Sequence, residues 1–370
     1  MKVLYSCLSK SWGGMEMNTL TSVKQLLNRS LNAELICSAE SRIHVEAVSM
    51  GILTHPVHAP GYFHPVTVTR ISNIIRKGNF DLIHSHASKD LWLLVPALKL
   101  RGIKIPLLLT KHVGSFIVKK DFFHKWLYNR LTYALAISRA IENNLLKTCP
   151  LTKEKILLHH NGIDTCRFDP NKINRDISRK EFGLNTEDLL IGMMARFSPG
   201  KGHEEFLYAA SELNKLYKNL KFTIVGEASR GENEYAESIK RLAESYELNN
   251  LIFTGYRSDT ENVLAAMDIF VMPSHAEAFG IALAEAMSMG IPSVCADAEG
   301  LLDIAVDGST SLLFEVKTGD SLKEKLIRLI ESPSLRKSFS AASRERAVDK
   351  FEIEKLTDRV LDIYTKAIKK

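Results

Sequence analysis

The residues best suited to chemistry lie in one stretch, Pro273-Ser274-His275-Ala276-Glu277-Ala278-Phe279-Gly280-Ile281-Ala282-Leu283-Ala284-Glu285-Ala286-Met287. It follows an apolar run, and the pattern predicts a helix beginning near Phe279-Gly280. Glu277 then sits in the loop at the helix N-terminus and Glu285 in the second turn. Eight helical positions span about 12 Å. Two carboxylates so spaced can each hold a hydroxyl pair at opposite ends of an elongated polyol, with the helix N-terminus facing an anion between them. The plainer alternative makes Glu277 a cap and Glu285 a solvated face residue. Against it, Ile281-Ala282-Leu283-Ala284-Glu285-Ala286-Met287 is almost wholly apolar, which predicts a buried helix, and a buried carboxylate needs a partner.

A second cluster is Gly192-Met193-Met194-Ala195-Arg196-Phe197-Ser198-Pro199-Gly200-Lys201-Gly202. An apolar strand runs into Arg196, and a Pro-Gly turn presents Lys201 just before a helix. A guanidinium fork and a mobile ammonium at a strand's carboxyl end suit a diphosphate. An ordinary solvated turn accounts for Lys201 but not for an arginine continuing a core strand.

Near the N-terminus, Gly13 and Gly14 follow a first strand and open a helix, so backbone N–H groups can approach an oxyanion there. The loop is neither G-x-G-x-x-G nor a Walker A sequence, so its nucleotide signal is weak. His84-Ser85-His86 and Thr110-Lys111-His112 also end predicted strands. The first pair has metal-ligand chemistry but no third ligand at a suitable spacing. His112, alone on a post-strand loop, suits either a structural role or ligand contact. There is no Asp-x-Asp pair for a divalent metal on a nucleotide diphosphate and no G-x-S-x-G elbow. A departing diphosphate must then be neutralised by Arg196, Lys201 and backbone dipoles.

These residues need elements to position them, and the chain supplies a repeating rhythm of β-branched run, turn and amphipathic helix. In the first half, strands are predicted near Lys2–Leu8, Ala33–Ser38, Leu53–Ala59, Asp81–His84, Pro106–Lys111, Ala134–Ser138 and Ile156–His159. After the polar stretch 169–188 the rhythm restarts, with strands at Leu189–Ala195, Lys221–Val225, Leu251–Thr254, Ile269–Met272 and Pro292–Cys295. Alternation of this kind predicts an α/β fold of two Rossmann-like, doubly wound domains across a cleft. The expected boundaries are 1–168 for the first domain, 169–188 for a linker, and 189–352 for the second. In such sheets ligands bind beyond the carboxyl ends of the strands.

Composition agrees. The 370 residues are 45% hydrophobic and 25% charged, which suits a globular chain with two cores. No apolar run reaches the roughly 18 to 20 residues of a membrane span, and no signal peptide is evident, so a cytoplasmic location is expected. A formal charge of +6 permits acidic small molecules or an anionic membrane surface and does not call for nucleic acid. The odd, scattered cysteines Cys7, Cys37, Cys149, Cys166 and Cys295 fit a reducing compartment.

Taken together, the ordered motifs resemble the retaining glycosyltransferases of GT-B fold, glycosyltransferase family 4 in particular. The resemblance runs from the Gly-Gly loop to the last helix. It rests on Glu277 and Glu285 with Phe279-Gly280 and Ala286-Met287, and on Arg196 with Lys201-Gly202. Also matching are Asn161-Gly162-Ile163-Asp164 with Phe168, Val225-Gly226, Gly255, Pro273-Ser274 and Gly290-Ile291-Pro292. The resemblance implies that Glu285 binds the ribose of a nucleotide sugar and Glu277 the transferred sugar. Arg196 and Lys201 clamp the diphosphate, the Gly13-Gly14 loop closes on it, and His112 lines the donor-sugar site. The amides of Ala278, Phe279 and Gly280 support sugar and phosphate. It implies a front-face route without a protein nucleophile or metal, and a C-terminal helix, 353–370, returning to the first domain. One departure is Ala298-Glu299-Gly300 with Asp303, where the family usually has paired glycines and a later glutamate.

The implied activity is hexose transfer from a nucleotide sugar, most simply a UDP-sugar, to a glycan or glycolipid hydroxyl, as in lipopolysaccharide or cell-surface polysaccharide synthesis. A nucleotide-sugar epimerase of the same fold is the alternative, as is a non-catalytic nucleotide-sugar-binding protein. The epimerase needs further acid–base carboxylates that the sequence does not offer. Residues 111–130 contain Lys111, Lys119, Lys120, Lys125 and Arg130 among Phe116, Phe122, Phe123, Trp126 and Tyr128. That basic, aromatic segment resembles the patch by which lipid-linked glycosyltransferases touch an anionic membrane. The competing reading packs Phe122, Phe123, Trp126 and Leu127 into the core.

Overall fold

The computed structural model describes residues 1–59, 61–62, 64–229 and 231–370, which form two compact units. The first comprises Met1–Asn161 and Glu354–Lys370. Its strands are β1 (Lys2–Cys7), β2 (Asn32–Ser38), β3 (Thr54–Val57), β4 (Leu82–Ser85), β5 (Leu107–Lys111), β6 (Tyr133–Ala136) and β7 (Ile156–Leu158). Between them run α1 (Gly14–Asn28), α2 (Arg42–Ser49), α3 (Pro65–Gly78), α4 (Leu91–Leu100), α5 (Phe122–Asn129) and α6 (Arg139–Thr148). The sheet is parallel, in the order β3-β2-β1-β4-β5-β6-β7. Helices cover both faces of such a sheet, which is why the strands read as continuous apolar runs; β5, Leu-Leu-Leu-Thr-Lys, is buried at every position.

Helix boundaries follow local chemistry. His64 accepts a hydrogen bond from the Thr67 amide ahead of Pro65, the first residue of α3, and Ser138 accepts from the Ile141 amide to open α6. The last helix, α14 (Ile353–Ile368), completes the first unit's core. Val360, Tyr364 and Ala367 join the cluster of Val3, Tyr5, Leu20 and Leu35. Burying each large apolar side chain there is worth about 1.5–3 kcal/mol.

The second unit, Gly162–Ile353, holds a parallel sheet in the order β10-β9-β8-β11-β12-β13. Its strands are β8 (Leu189–Met194), β9 (Leu220–Val225), β10 (Leu251–Gly255), β11 (Ile269–Met272), β12 (Ser293–Ala296) and β13 (Ser311–Phe314). Its helices are α7 (Arg175–Glu181), α8 (His203–Leu216), α9 (Asn233–Ser245), α10 (Thr260–Ala266), α11 (Ile281–Ser288), α12 (Gly319–Glu331) and α13 (Pro333–Phe351).

The structure redraws the expected boundary. Residues 162–168 pack with the second unit: the Ile163 amide donates to the Phe351 carbonyl at 2.7 Å, and Ser288 Oγ donates to the Phe168 carbonyl at 2.8 Å. The polar 169–188 stretch, expected as a linker, carries α7. Arg175 and Arg179 of that helix grip the two oxygens of Asp268 at 2.5 and 2.9 Å. Its charge serves a packed contact, so the absence of apolar periodicity was a poor guide. Cys7, Cys37, Cys149 and Cys295 are buried and Cys166 is exposed, all as free thiols.

Candidate active site

Each sheet reverses its strand order once, between β1 and β4 in the first unit and between β8 and β11 in the second. A crevice opens beyond the strand ends at such a point. Most of the residues singled out above fall on the loops that leave these strands or their neighbours; Glu285 lies within α11 (Ile281–Ser288) and His84 within β4. Arg196 and Lys201 follow β8, and Glu277 follows β11. In the first unit the Gly13-Gly14 loop follows β1, His86 follows β4 and His112 follows β5.

In the second unit the two loops are fastened together. The His275 amide donates to the Gly200 carbonyl at 2.9 Å. Gly202 has φ +78°, and a Cβ there would lie 2.2 Å from the Pro273 carbonyl oxygen, so only glycine fits. The turn after β12 presses in from the other side. A Cβ on Gly300 would meet the Glu277 carbonyl oxygen at 1.9 Å. His275 Nε2 lies 2.8 Å from Glu205 Oε1 and ties the same loop to α8.

This arrangement brings Lys201 Nζ to 2.7 Å from Glu277 Oε2. The two side chains are only 23% and 18% exposed, so their interaction is less screened than that of a surface pair. An ammonium and a carboxylate side by side present one group for a phosphate and one for sugar hydroxyls.

α11 begins at Ile281, one to two residues later than the sequence pattern suggests, with Gly280 as its cap at φ +96°. Phe279 points into the core, where its ring meets Phe351 edge-on at 5.7 Å. Any part it plays toward a ligand falls to its backbone. Glu285 is half-buried, and its carboxylate has no hydrogen-bond partner among the described residues. Loss of solvation pushes its carboxyl up to about 7, partly offset by the charge of Arg167. The partner that a buried carboxylate requires is therefore not supplied by the neighbouring side chains. Arg196 is exposed and donates to Ser229 Oγ at 2.7 Å; no contact joins it to Lys201 or Glu277.

Gly13, Gly14 and His112 lie in the first unit. Gly13 caps α1 in extended conformation, and its carbonyl accepts from the Met17 amide at 3.0 Å. His112 is buried among uncharged rings. His112 Nε2 lies 3.0 Å from His86 Nδ1. His84 Nδ1 meets Tyr364 Oη at 2.5 Å, and His84 Nε2 meets Thr110 Oγ1 at 2.7 Å. Burial holds the His84 and His112 rings at about 3, neutral at physiological pH. His86 was visible in sequence only as half of a metal-ligand pair, and its contact with His112 was not. Among the described residues no group of three His, Cys, Asp or Glu side chains is arranged to hold a metal ion.

Segment 111–130 divides. Lys111 is buried, donates to Ser88 Oγ at 3.2 Å and is lowered to about 8 by desolvation. Arg130 donates to the carbonyls of Ile103 and Ile105. Neither belongs to a surface patch. Leu127 is core, as the packing alternative expects, and so is Tyr128, but Phe122 and Phe123 are 76% and 61% exposed. Val113, Phe116, Ile117 and Val118 are exposed as well.

Comparison with known proteins now decides the family. The glycosyltransferase family 4 model matches residues 12–167, and the glycosyl transferases group 1 model matches residues 174–346. The chain belongs to the GT-B glycosyltransferases. A UDP-Gal:alpha-D-GlcNAc-diphosphoundecaprenol alpha-1,3-galactosyltransferase of Escherichia coli is 25% identical over 391 residues, 98% of this chain and 96% of that protein. A glycosyltransferase of Rickettsia africae superposes with a TM-score of 0.90 at 22% identity, covering 100% of this chain and 98% of the other. Anabaena HepE, solved in complex with UDP-glucose, superposes at 0.84 with 20% identity over 99% and 100% of the two chains. The structural likenesses establish the fold. No helix among the described residues is long and apolar enough to cross a membrane.

Proposed function

We propose that this glycosyltransferase moves a hexose from a UDP-sugar to a hydroxyl of a lipid-linked or lipopolysaccharide glycan, with retention at the anomeric carbon and without a metal ion. The observation that carries the reading is the Lys201–Glu277 pair at 2.7 Å, held by the fastened loops after β8 and β11. Lys201 and Arg196 meet the diphosphate, Glu277 the sugar hydroxyls and Glu285 the ribose. The amides of Ala278, Phe279 and Gly280 support sugar and phosphate, the Gly13-Gly14 loop covers the diphosphate, and His112 faces the donor sugar. The bond from the anomeric carbon to the phosphate oxygen breaks as the acceptor oxygen bonds to that carbon from the same face. The acceptor's proton passes to the departing phosphate, and UDP leaves. The E. coli relative, whose name gives UDP-Gal as donor and a diphosphoundecaprenol-linked sugar as acceptor, supports the substrate classes.

The acceptor's lipid suggests where the enzyme works. Exposed Phe116, Ile117, Val118, Phe122 and Phe123, with Lys119, Lys120 and Lys125 in the same segment, form an apolar, basic surface. This suits the inner face of an anionic cytoplasmic membrane, where each lysine contributes about 1 kcal/mol.

One assay tests the whole reading. A panel of UDP-hexoses is offered with a diphosphoundecaprenol-linked sugar in anionic vesicles, with and without EDTA, at low and high salt. The expected product keeps the donor's anomeric configuration, forms at the same rate in EDTA, and forms more slowly at high salt as the enzyme leaves the vesicles. Inversion would overturn retention, and loss of activity in EDTA would overturn the metal-free route. Vesicle binding absent at both salts would overturn the membrane surface.

A further inference from the structure

His86 and His112 leave the carboxyl ends of the adjacent strands β4 and β5, and their rings stack with centroids 5.0 Å apart. They share one hydrogen bond, His112 Nε2 to His86 Nδ1 at 3.0 Å. Both rings are buried and both are driven far below the usual histidine range, mainly by desolvation, so each carries a single proton. One ring nitrogen of the pair donates and the other accepts, which leaves two arrangements.

In the first arrangement His112 Nε2–H donates to His86 Nδ1. The proton of His86 then sits on its Nε2, which is sealed from solvent and has no partner among the described residues. In the second, His86 Nδ1–H donates to His112 Nε2, and the unpartnered His86 Nε2 is a bare lone pair. An orphaned buried N–H is rarer and costlier than an unused acceptor, so the second arrangement prevails. His84 leaves no other choice, because its two nitrogens are engaged by Tyr364 and Thr110.

We infer that His86 is a positioning residue that locks His112 in the tautomer with its proton on Nδ1. His112 then presents Nδ1–H as a fixed neutral donor, with no partner for it among the described residues. Its value to the reaction rests on the role of His112 proposed above; the tautomer itself does not. A neutral donor can hold a sugar oxygen without repelling positive charge that develops at the anomeric carbon.

The decisive measurement is a long-range proton–nitrogen correlation spectrum of protein labelled with nitrogen-15 histidine, with His112 assigned by its loss in His112→Asn. A protonated Nδ1 and bare Nε2 on His112 are expected. The opposite tautomer in the unmodified protein overturns the inference, whatever the His86 variants do. Asn at position 86 places an amide donor near the Nδ1 position, so His86→Asn should keep the tautomer and most of kcat. His86→Phe should mix the tautomers and lower kcat about ten- to a hundredfold, with donor KM within about twofold. An unchanged tautomer in a folded His86→Phe variant would also sink it. If the tautomer is as stated but His112→Ala transfers at the unmodified rate, the proposed role of His112 falls and the lock stands.

Discussion

At the strand-order reversal of the first sheet, β1, β4 and β5 lead to a glycine loop, His86 and His112, with the rings of Tyr5, His84 and Tyr364 packed alongside. At the reversal of the second sheet, β8 and β11 hand over to Arg196, Lys201 and Glu277. The backbone plan is the same and the chemistry is opposite. In the first unit, burial has stripped the histidines of charge: His86 and His112 share one hydrogen bond, and His84 is held by Tyr364 and Thr110. In the second, Lys201 and Glu277 pair at 2.7 Å, and burial pushes the Glu285 carboxyl up to about 7. The comparison teaches that one strand order can carry either kind of lining, and that the loops decide which.

The largest expected effect comes from removing charge at the second reversal. Lys201→Ala should lower kcat by about 10² to 10³, the usual cost of one donor aimed at developing charge. Its melting temperature should fall only modestly, because the pair it breaks, 23% and 18% exposed, is partly reached by solvent. No single substitution at the first reversal should match it. Retention of more than about a tenth of turnover would break the comparison by showing that the leaving group's charge is met elsewhere.

Acid should separate the two units next. His84 and His112 are lowered to about 3 and His159 to about 4, and His86 is also held well below its ordinary value, all chiefly by desolvation. Between about 6.5 and those values the unfolded chain binds protons that the folded first unit refuses. Its stability therefore falls as pH falls, by up to about 1.4 kcal/mol per pH unit for each histidine. Buried Asp90, raised to about 7, has the opposite sign and offsets roughly one of them. In the second unit His203, lowered to about 4, is countered by Glu285, raised to about 7. Hydrogen exchange followed by mass spectrometry, corrected for intrinsic rates, should show the first unit opening before the second between pH 7 and 5. Equal loss of protection would mean the histidines keep no such distinction.

Most of the β/α alternation was legible because buried parallel strands carry unbroken apolar runs, as in Ile269–Met272, whose bounds the pattern matches. What escaped were elements whose signal lies elsewhere in the chain. β13 is four residues long and gains its meaning only from pairing with β12. α7 is polar because Asp268 neutralises it. In segment 111–130, helical spacing could not tell the inward Leu127 from the outward Phe123, nor reveal that Lys111 points inside. The site was legible as a set of residue types and illegible as contacts. Glu277 and Lys201 are 76 positions apart, and nothing local announces that Gly202 and Gly300 press their loops together.

That contact carries the smallest and sharpest prediction. On the roles proposed above, Glu277 neutralises Lys201 before a donor arrives, so the carboxylate and UDP would compete for it. Glu277→Gln keeps the shape and removes the competing charge. UDP alone should then bind up to about fivefold more tightly, the value of a partly screened ion pair, although sugar transfer falls. Titration calorimetry with UDP reads this directly. Weaker binding would reverse the interpretation: Glu277 would be holding Lys201 in position for the phosphate, and the second reversal would be organised, like the first, by one side chain fixing the geometry of another.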